Sequence, residues 1–358
     1  MSVKPCPANS AAGSPEGLHE VPLAEEFCFP FLLRAQNANG GWGYMPGSAS
    51  GAEPTCWALL ALADRSNGDD LDVGASDAHP QPNAVRPYGR QAPNGEEALK
   101  LGRQWLRQAQ LPDGSWPAFV GQQRGCWVTA LACLALKAQQ ESRDSVARGV
   151  RWLCDTWPAE GGFWSRLGHR LRRTPAVVRQ DSSLRGWSWT PGTASWVEPT
   201  SYSLILMKNL PGELLPPSSG KRVRLAEAML YDRMCPGGGW NAGNSLVYGV
   251  AGIPRVGPTV WALLALLAQR DRPENRKSLD WLCAAFPEIQ GPGSLALAHL
   301  CLQAHGRAVL GNRKSSPVLE TLLRTRQAVN QFLMNVQVVA WAAIALSGAP
   351  DWLIRIED

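Results

Sequence analysis

Two kinds of apolar pattern alternate along this chain. In one kind, charged residues recur on one side of a 3.6-residue period, which is typical of a helix with one face in water. In the other kind the segment is apolar all round, which indicates a helix that is buried on every side. Six such pairs follow one another. We expect the amphipathic helices near residues 24–36, 96–110, 143–155, 221–234, 273–286 and 316–332, and the apolar helices near residues 54–64, 127–139, 199–209, 258–269, 293–304 and 336–347.

A glycine-aromatic turn, followed by a threonine at the start of an apolar helix, recurs in the first four pairs. The turns contain Trp42, Trp116, Trp187 and Trp240, and the threonines are Thr55, Thr129, Thr200 and Thr259. Repetition at the length of a helix pair means that each unit buries its apolar face against its neighbours. We therefore predict an all-α (α/α)6 toroid, in which six apolar helices form a parallel inner ring and six amphipathic helices surround them.

The repeats also suggest how the chain is divided. Residues 1–20 are rich in Pro, Ser, Gly and Ala and are expected to form a disordered tail, whereas residues 21–358 are expected to form one toroid domain. Two stretches do not fit the repeat period, at residues 66–95 and 158–185. Long insertions in a compact ring are often lids or contact surfaces.

Composition excludes several classes of function. Among 358 residues the net charge is only +5 and the charged fraction 18%, without a long run of like charge, so a nucleic-acid partner is not expected. The chain begins without a signal-peptide pattern and has no apolar stretch long enough to cross a membrane. Several of the nine cysteines lie in helical apolar runs, such as Cys56, Cys133, Cys283 and Cys301, and are interpreted as small buried hydrophobes in a reducing compartment. A cytoplasmic protein is therefore expected.

Two carboxylates stand at matching places in the repeats. When the apolar helices are aligned on their threonines, Glu53 and Glu198 lie two positions before the threonine, where the other two repeats have Trp127 and Gly257. Aligning the last repeat on its Ala-Leu end adds Gln337 to this set. A buried acid at the mouth of a ring suits proton transfer to an alkene. A carboxylate beside a proline is also ordinary at a helix start, where it stabilises the helix dipole, so a purely structural role stays open.

Aromatic residues stand two positions after the threonine. This belt consists of Trp57, Tyr202 and Trp261, and aligning the last repeat on its Ala-Leu end adds Trp341. If these aromatic side chains face the axis of the toroid, they would line the cavity beneath the acids and stabilise a carbocation by about 0.5–2 kcal/mol each. The belt could equally pack against the outer helices.

Other charged residues suggest weaker hypotheses. The arginines of residues 158–185, accompanied by Trp164, could hold a diphosphate or lie on an anionic membrane surface, although a solvated loop is the simpler interpretation. Asp69 to Asp72 resembles a metal-diphosphate cluster but lies in a Gly- and Asn-rich loop. With no cofactor motif in the chain, neither a cofactor nor a metal is expected.

The repeats resemble those of the terpene cyclase and protein prenyltransferase superfamily, including squalene-hopene cyclases. The nearest copies run from Gln36 to Trp42 and from Gln110 to Trp116, and the resemblance covers most of residues 24–347. It implies a toroid that acts on a polyisoprenoid. Class II cyclases carry an Asp-x-Asp-Asp-Thr stretch whose middle Asp donates the proton. The closest matches here end in Glu53-Pro54-Thr55 and Glu198-Pro199-Thr200, with Glu in place of the acid.

These observations predict a class II terpene cyclase-type isomerase that cyclises a polyisoprenoid. Glu198 is expected to be the acid, with Glu53 second, and the aromatic belt with Trp127 to bind the substrate. Two alternatives remain: a non-catalytic toroid that binds an isoprenoid or a protein, and a prenyltransferase-like subunit that needs a partner. Peripheral membrane contact through residues 158–185 would be compatible with each of these.

Overall fold

The computed structural model describes residues 22–63, 94–140, 143–160, 180–307, 317–330, 335–350 and 352–353. The predicted tail at residues 1–20, the Asp69 to Asp72 cluster and most of the arginine-rich insertion lie outside these residues. Within them, no helix is both long enough and apolar enough to cross a membrane.

Helices make up nearly all of the regular secondary structure of the described residues. A π-helical turn at Ala24–Cys28 leads into the first helix. The α-helices are α1 Phe29–Arg34, α2 Ala52–Ala63, α3 Gly95–Gln108, α4 Val128–Ala138, α5 Arg143–Asp155, α6 Val197–Asn209, α7 Ser219–Asp232, α8 Val256–Ala265, α9 Pro273–Ala285, α10 Pro292–Ala304, α11 Pro317–Asn330 and α12 Val336–Ser347. A short hairpin of β1 Leu246–Val247 and β2 Val250–Ala251 precedes α8. The expected helix near 258–269 is shorter, because a separate 3₁₀ turn forms at Leu267–Gln269.

The even-numbered helices form a closed inner ring. Each packs against two others in the order α2, α4, α6, α8, α10 and α12, and α12 returns to α2. Each inner helix also packs against the outer helix that follows it in the chain, and α12 packs against the π-helical turn and α1. The predicted (α/α)6 toroid is therefore confirmed, with the first outer helix covering the last inner one.

Hydrogen bonds at both ends of the inner helices show that these helices are parallel. At their starts, the Ala52 N–H donates to the Ala118 carbonyl at 3.2 Å and the Val197 N–H to the Ala242 carbonyl at 3.1 Å, each acceptor lying in the turn of the next repeat. The Val336 N–H donates to the Tyr44 carbonyl at 2.9 Å and closes the ring. At the opposite ends, the Lys208 side chain of α6 reaches the Ala265 carbonyl of α8 at 2.7 Å.

The repeated tryptophan and threonine form one structural unit. In the fourth repeat the Trp240 N–H donates to Thr259 Oγ1 at 2.9 Å, and the Trp240 indole N–H donates to the Leu230 carbonyl near the end of the outer helix at 2.6 Å. Trp42, Trp116 and Trp187 repeat both contacts with their own threonines and outer helices. The motif therefore ties the outer helix, the turn and the inner helix of one repeat together.

A glutamine connects the first two turns to the next outer helix. Gln36 Nε2 donates to the carbonyls of Gly40 and Ala98, both at 2.8 Å, and Gln110 forms the equivalent pair in the second repeat. These bonds join each of the two turns to the outer helix of the next repeat.

An arginine connects the third turn, in which Asp181 stands at the position of the glutamine, six residues before the repeated tryptophan. The fully buried Arg222 of α7 donates to the carbonyls of Thr156 at 3.1 Å and Gly186 at 3.2 Å. Its guanidinium lies between the rings of Trp157 and Trp187, at 4.0 and 4.3 Å from their centroids. Burial lowers the pKa of Arg222 to about 10, so the side chain stays charged at neutral pH.

The described ends of the insertion are held at the same place. Arg185 lies over the ring of Trp157 at 4.3 Å, so this tryptophan contacts two guanidinium groups.

Seven described cysteines are free and buried, as the apolar runs predicted. Cys283 departs from that interpretation, because it is disulfide-bonded.

Candidate active site

The two candidate acids lie in the first turns of α2 and α6, at the same end of the ring. Glu53 follows Ala52, the first residue of α2, and Glu198 follows Val197, the first residue of α6. Because the inner helices are parallel, their first turns surround one mouth of the ring. Both side chains are partly exposed there, so a molecule that enters the mouth can reach them.

Backbone hydrogen bonds define which residues share this level. The Thr55 N–H donates to Gly51, and the Leu295 and Val339 N–H groups make the equivalent bonds in α10 and α12. These three donors and the threonines Thr129, Thr200 and Thr259 mark the same register position in the six inner helices. The residues two positions before them form the mouth layer, with one residue from each inner helix. Its six members are Glu53, Trp127, Glu198, Gly257, Gly293 and Gln337.

Glu53 is held by two hydrogen-bond donors. The Tyr44 hydroxyl donates to one carboxyl oxygen, and Gln337 Nε2 donates to the other at 2.7 Å. Both donors are brought here by ring closure, since Tyr44 belongs to the first turn and Gln337 to the last helix. Burial raises the pKa of the Glu53 carboxyl, whereas the hydrogen bonds act in the opposite direction by stabilising the carboxylate.

Glu198 has a different environment. Burial raises the pKa of its carboxyl, and the charge of Glu53 raises it further. On the neighbouring helix α8, the corresponding position is Gly257, where an added Cβ would lie 3.6 Å from Glu198 Oε1. The Glu198 carboxyl therefore faces a glycine, without the donors that stabilise the charge on Glu53.

The two environments separate the roles of the acids. Donors from Tyr44 and Gln337 favour the ionised form of Glu53, and its charge then disfavours ionisation of Glu198. Pairs of carboxyl groups whose surroundings push their pKa values apart are typical of acid–base sites. Glu198 is therefore the candidate proton donor, and Glu53 is its candidate charged partner.

An aromatic layer lies one helical turn below the mouth. Trp57 and Trp261, from opposite sides of the ring, have centroids 5.4 Å apart. Tyr202 lies 4.9 Å from Trp261, and Trp341 lies 5.7 Å from Trp57. These side chains face the ring axis, because helices that are not neighbours contact each other only across it.

The rings fill the axis rather than surround an open space. Trp57, Tyr202 and Trp261 are almost fully buried, and centroid distances near 5–6 Å correspond to direct ring contact. The sequence hypothesis placed these side chains along a cavity wall. In the structure the aromatic layer is a floor, so a ligand at the acids would lie on its mouth side.

Trp127 extends this floor towards the mouth. Its ring stacks on Tyr202 with a centroid distance of 5.4 Å and an angle of 27°, and it contacts the edge of Trp189 at 4.9 Å. Trp189 lies in the third turn, two residues after the repeated tryptophan. The mouth therefore has an aromatic wall between the two acids.

Three contributors were absent from the candidate residues predicted from the sequence. Tyr44 is two residues after Trp42, the position that Trp189 has after Trp187, so the repeat alignment could have suggested it. Gln337 was aligned with the glutamates but given no role. Gly257 carried no chemical signal. Among the described residues no cluster of His, Cys, Asp and Glu is arranged to hold a metal ion.

This chain resembles solved structures only at low sequence identity. No protein-family model matches this chain, and no curated protein matches it either. Among solved structures, the type II terpene cyclase MstE from Scytonema is 16% identical with a TM-score of 0.47, over 87% of this chain and 78% of that chain. A protein from Actinoplanes is 16% identical with a TM-score of 0.48, over 86% and 79%.

A third match has another kind of function. Salmonella alpha-2-macroglobulin is 13% identical with a TM-score of 0.43, over 90% of this chain but only 17% of its own. Likenesses at this level of identity and superposition do not bear on what this chain does. Its function has to be inferred from its own residues.

Proposed function

We propose that this chain is a class II terpene cyclase-type isomerase, which protonates a double bond of a polyisoprenoid at the mouth of the ring. The observation that supports this most directly is the Glu198 carboxyl, whose pKa is raised by burial and by the charge of Glu53. A raised pKa makes a carboxyl group better suited to act as a general acid.

The proposed reaction needs no external reactant. The Glu198 proton adds to one alkene carbon, the π electrons form the new C–H bond, and the other carbon becomes a cation. The next double bond of the chain attacks that cation and closes a ring. The last cation then loses a proton to solvent water, which restores a double bond, so the product has the mass of the substrate. Glu198 regains a proton through the partly exposed mouth.

The aromatic layer supports the second step. A cation formed next to the acids would lie close to the aromatic rings of Trp127, Tyr202 and Trp261. The face of an aromatic ring stabilises a nearby cation by about 0.5–2 kcal/mol. The layer also prevents the substrate from passing deeper into the ring. Glu53 acts on the reaction through Glu198, since its charge raises the pKa of the Glu198 carboxyl.

Incubation with squalene, oxidosqualene, geranylgeranyl diphosphate and farnesyl diphosphate tests the proposal, with products analysed by gas chromatography–mass spectrometry. Wild type is expected to give a cyclised product of unchanged mass. Glu198→Gln should abolish it, whereas Glu213→Gln, at an exposed carboxylate that pairs with Arg143, should not. A Glu198→Gln protein that is as active as wild type would exclude the assigned acid.

A second candidate is a toroid that binds an isoprenoid or a protein without catalysis. The filled axis favours it, since ring contacts between Trp57 and Trp261 leave no deep cavity. Failure of well-folded wild type to convert all four substrates would favour this candidate. Analytical gel filtration with co-purified proteins would then separate a binding protein from a subunit that needs a partner.

A further inference from the structure

The exposed apolar side chains of this protein are concentrated at the mouth of the ring. In the described part of the chain, every large apolar side chain that is exposed belongs to a loop between a repeated tryptophan and an inner helix. We call these four segments the mouth loops; they are residues 43–51, 117–127, 188–196 and 241–255. The exposed side chains are Met45, Phe119, Val120, Tyr248, Val250 and Ile253. Single exposed apolar residues are ordinary on a protein surface, but their restriction to one face indicates a contact surface.

Hydrogen bonds join the mouth loops into one continuous rim. The bonds at the starts of α2 and α6, described above, join the first loop to the second and the third to the fourth. Between these pairs, the Trp127 N–H donates to the Trp189 carbonyl at 3.1 Å. The two most exposed apolar side chains are Tyr248, at the tip of the β1–β2 hairpin and 78% exposed, and Ile253, which is 81% exposed. The apolar side chains therefore lie along one rim that spans four of the six inner helices.

The charges of this rim have one sign. Only two charged residues stand in the mouth loops, Arg124 and Arg255, although 18% of the chain is charged. Both are exposed, and neither forms an ion pair with a described residue. The segment between Glu160 and Gln180, whose described ends are bonded to the third and fourth loops, contains five arginines and no acidic residue. The connection between α9 and α10 carries an exposed acid, Glu288, but none of the exposed large apolar side chains.

We propose that the mouth loops are a membrane-binding surface, through which the protein lies on an anionic lipid bilayer. Apolar side chains on loop tips can enter the boundary between headgroups and acyl chains, while arginines stay at the level of the lipid phosphates. This orientation turns the mouth of the ring towards the bilayer, so an apolar ligand would pass between lipid and ring without crossing water. The inference does not depend on the proposed reaction.

The charges favour a bilayer over a second copy of this chain. In a symmetric contact between two copies the face meets itself, so Arg124 and Arg255 would approach the same residues of the other copy. The mouth loops contain no acidic residue that could pair with them there. Anionic lipid headgroups supply the complementary charge, and each arginine near such a surface adds to the attraction.

Co-sedimentation with lipid vesicles tests the apolar part of this surface. The full chain is mixed with vesicles of phosphatidylcholine alone or of phosphatidylcholine with phosphatidylserine. We expect wild type to bind the vesicles that contain phosphatidylserine, and Tyr248→Ser/Ile253→Ser to bind them about tenfold more weakly or less. Tyr248→Phe/Ile253→Leu keeps both side chains apolar and should bind as wild type does. Because both side chains are exposed, neither change should move the melting temperature by more than about 1 °C.

A matched pair of charge changes tests the arginines. Arg124→Gln/Arg255→Gln should weaken binding to vesicles with phosphatidylserine about tenfold and leave binding to phosphatidylcholine unchanged. Arg270→Gln/Arg276→Gln removes the same charge at the opposite end of the ring, where Arg270 follows inner helix α8 and Arg276 lies in the first turn of α9. This control variant should bind both kinds of vesicle as wild type does.

Four outcomes would overturn the proposal. Wild type that binds neither kind of vesicle would show that the protein has no such surface. A serine variant that binds as tightly as wild type would show that the contact lies elsewhere. Equal losses in the two arginine variants would reduce the binding to net charge. A wild-type dimer that the serine changes convert to a monomer in gel filtration, without vesicle binding, would assign the face to a second copy. Turnover enters none of these measurements, so Glu198→Gln tests the proposed function independently.

Discussion

Replacing Thr259 by valine should show how much one threonine contributes to the ring. Its hydroxyl accepts the Trp240 N–H at 2.9 Å and donates to the Trp240 carbonyl at 3.1 Å. Valine has nearly the same shape, so the change removes both hydrogen bonds and leaves a buried backbone N–H without a partner. An unpaired buried donor costs about 1–3 kcal/mol, and the second bond contributes about 1 kcal/mol.

We therefore expect Thr259→Val to lower the free energy of unfolding by about 2–3 kcal/mol. The entropy of unfolding is about 2.1 cal/mol/K per residue, so in a domain of this size each kcal/mol corresponds to about 1.4 °C and the melting temperature should fall by about 3–4 °C. Urea unfolding followed by circular dichroism measures this change in free energy. The comparison holds if the slope of the unfolding free energy against urea concentration is the same in the variant and in wild type.

Thr325→Val is the matched control. Thr325 is exposed on the outer helix α11, where its hydroxyl donates to the Thr321 carbonyl at 2.8 Å, so the same chemical change should cost less than about 0.5 kcal/mol. Equal stability of Thr259→Val and Thr325→Val would refute the structural importance of the repeated threonine.

Three further changes test the site and its support. Glu198→Gln should be more stable than wild type, by a margin that grows as pH rises. The pKa of Glu198 in the folded protein lies above its ordinary value of 4.5, so wild type loses stability as pH rises from 4.5 through the folded pKa, whereas glutamine does not titrate. Melting curves from pH 4 to 8 measure the margin, and a difference that stays constant with pH would contradict the raised pKa. Tyr44→Phe removes a donor from Glu53 and should raise the pKa of Glu53, moving the acid limb of the pH–rate profile to higher pH; an unmoved limb would argue against coupling of the two acids. Arg222→Met should lower stability by about 2 kcal/mol by removing two hydrogen bonds and two ring contacts, as measured by urea unfolding, and a change below 0.5 kcal/mol would show that the arginine is dispensable.

Much of the fold could be predicted from the sequence, because the relevant information is local. The apolar period and the repeated turn predicted helices near residues 143–155 and 336–347, which the structure has as Arg143–Asp155 and Val336–Ser347. The same alignment brought Glu53, Glu198 and Gln337 to one level. Parallel inner helices follow from identical repeats, so residues at one register lie at one height.

The environment of each acid could not be predicted in this way. Glu53 and Gln337 are separated by 284 positions, and their contact depends on the number of repeats that complete the circle. The orientation of the aromatic belt was also undecided, since Trp57 is surrounded by apolar residues on every side of its helix. Only the contact with Trp261 across the axis shows that the rings form a floor.

The sequence by itself thus determined the helix pairs, the ring and the level at which the candidate acids lie. These features follow from the period of the apolar residues and from a motif whose bonds stay within one repeat. The tertiary structure alone decided that Tyr44 and Gln337 reach Glu53, that Glu198 faces Gly257, and that aromatic rings close the axis. The physical reason is that the pKa of a side chain, and the room for a ligand beside it, depend on the groups that surround it in the folded protein. In a closed ring these groups include residues from the opposite end of the chain.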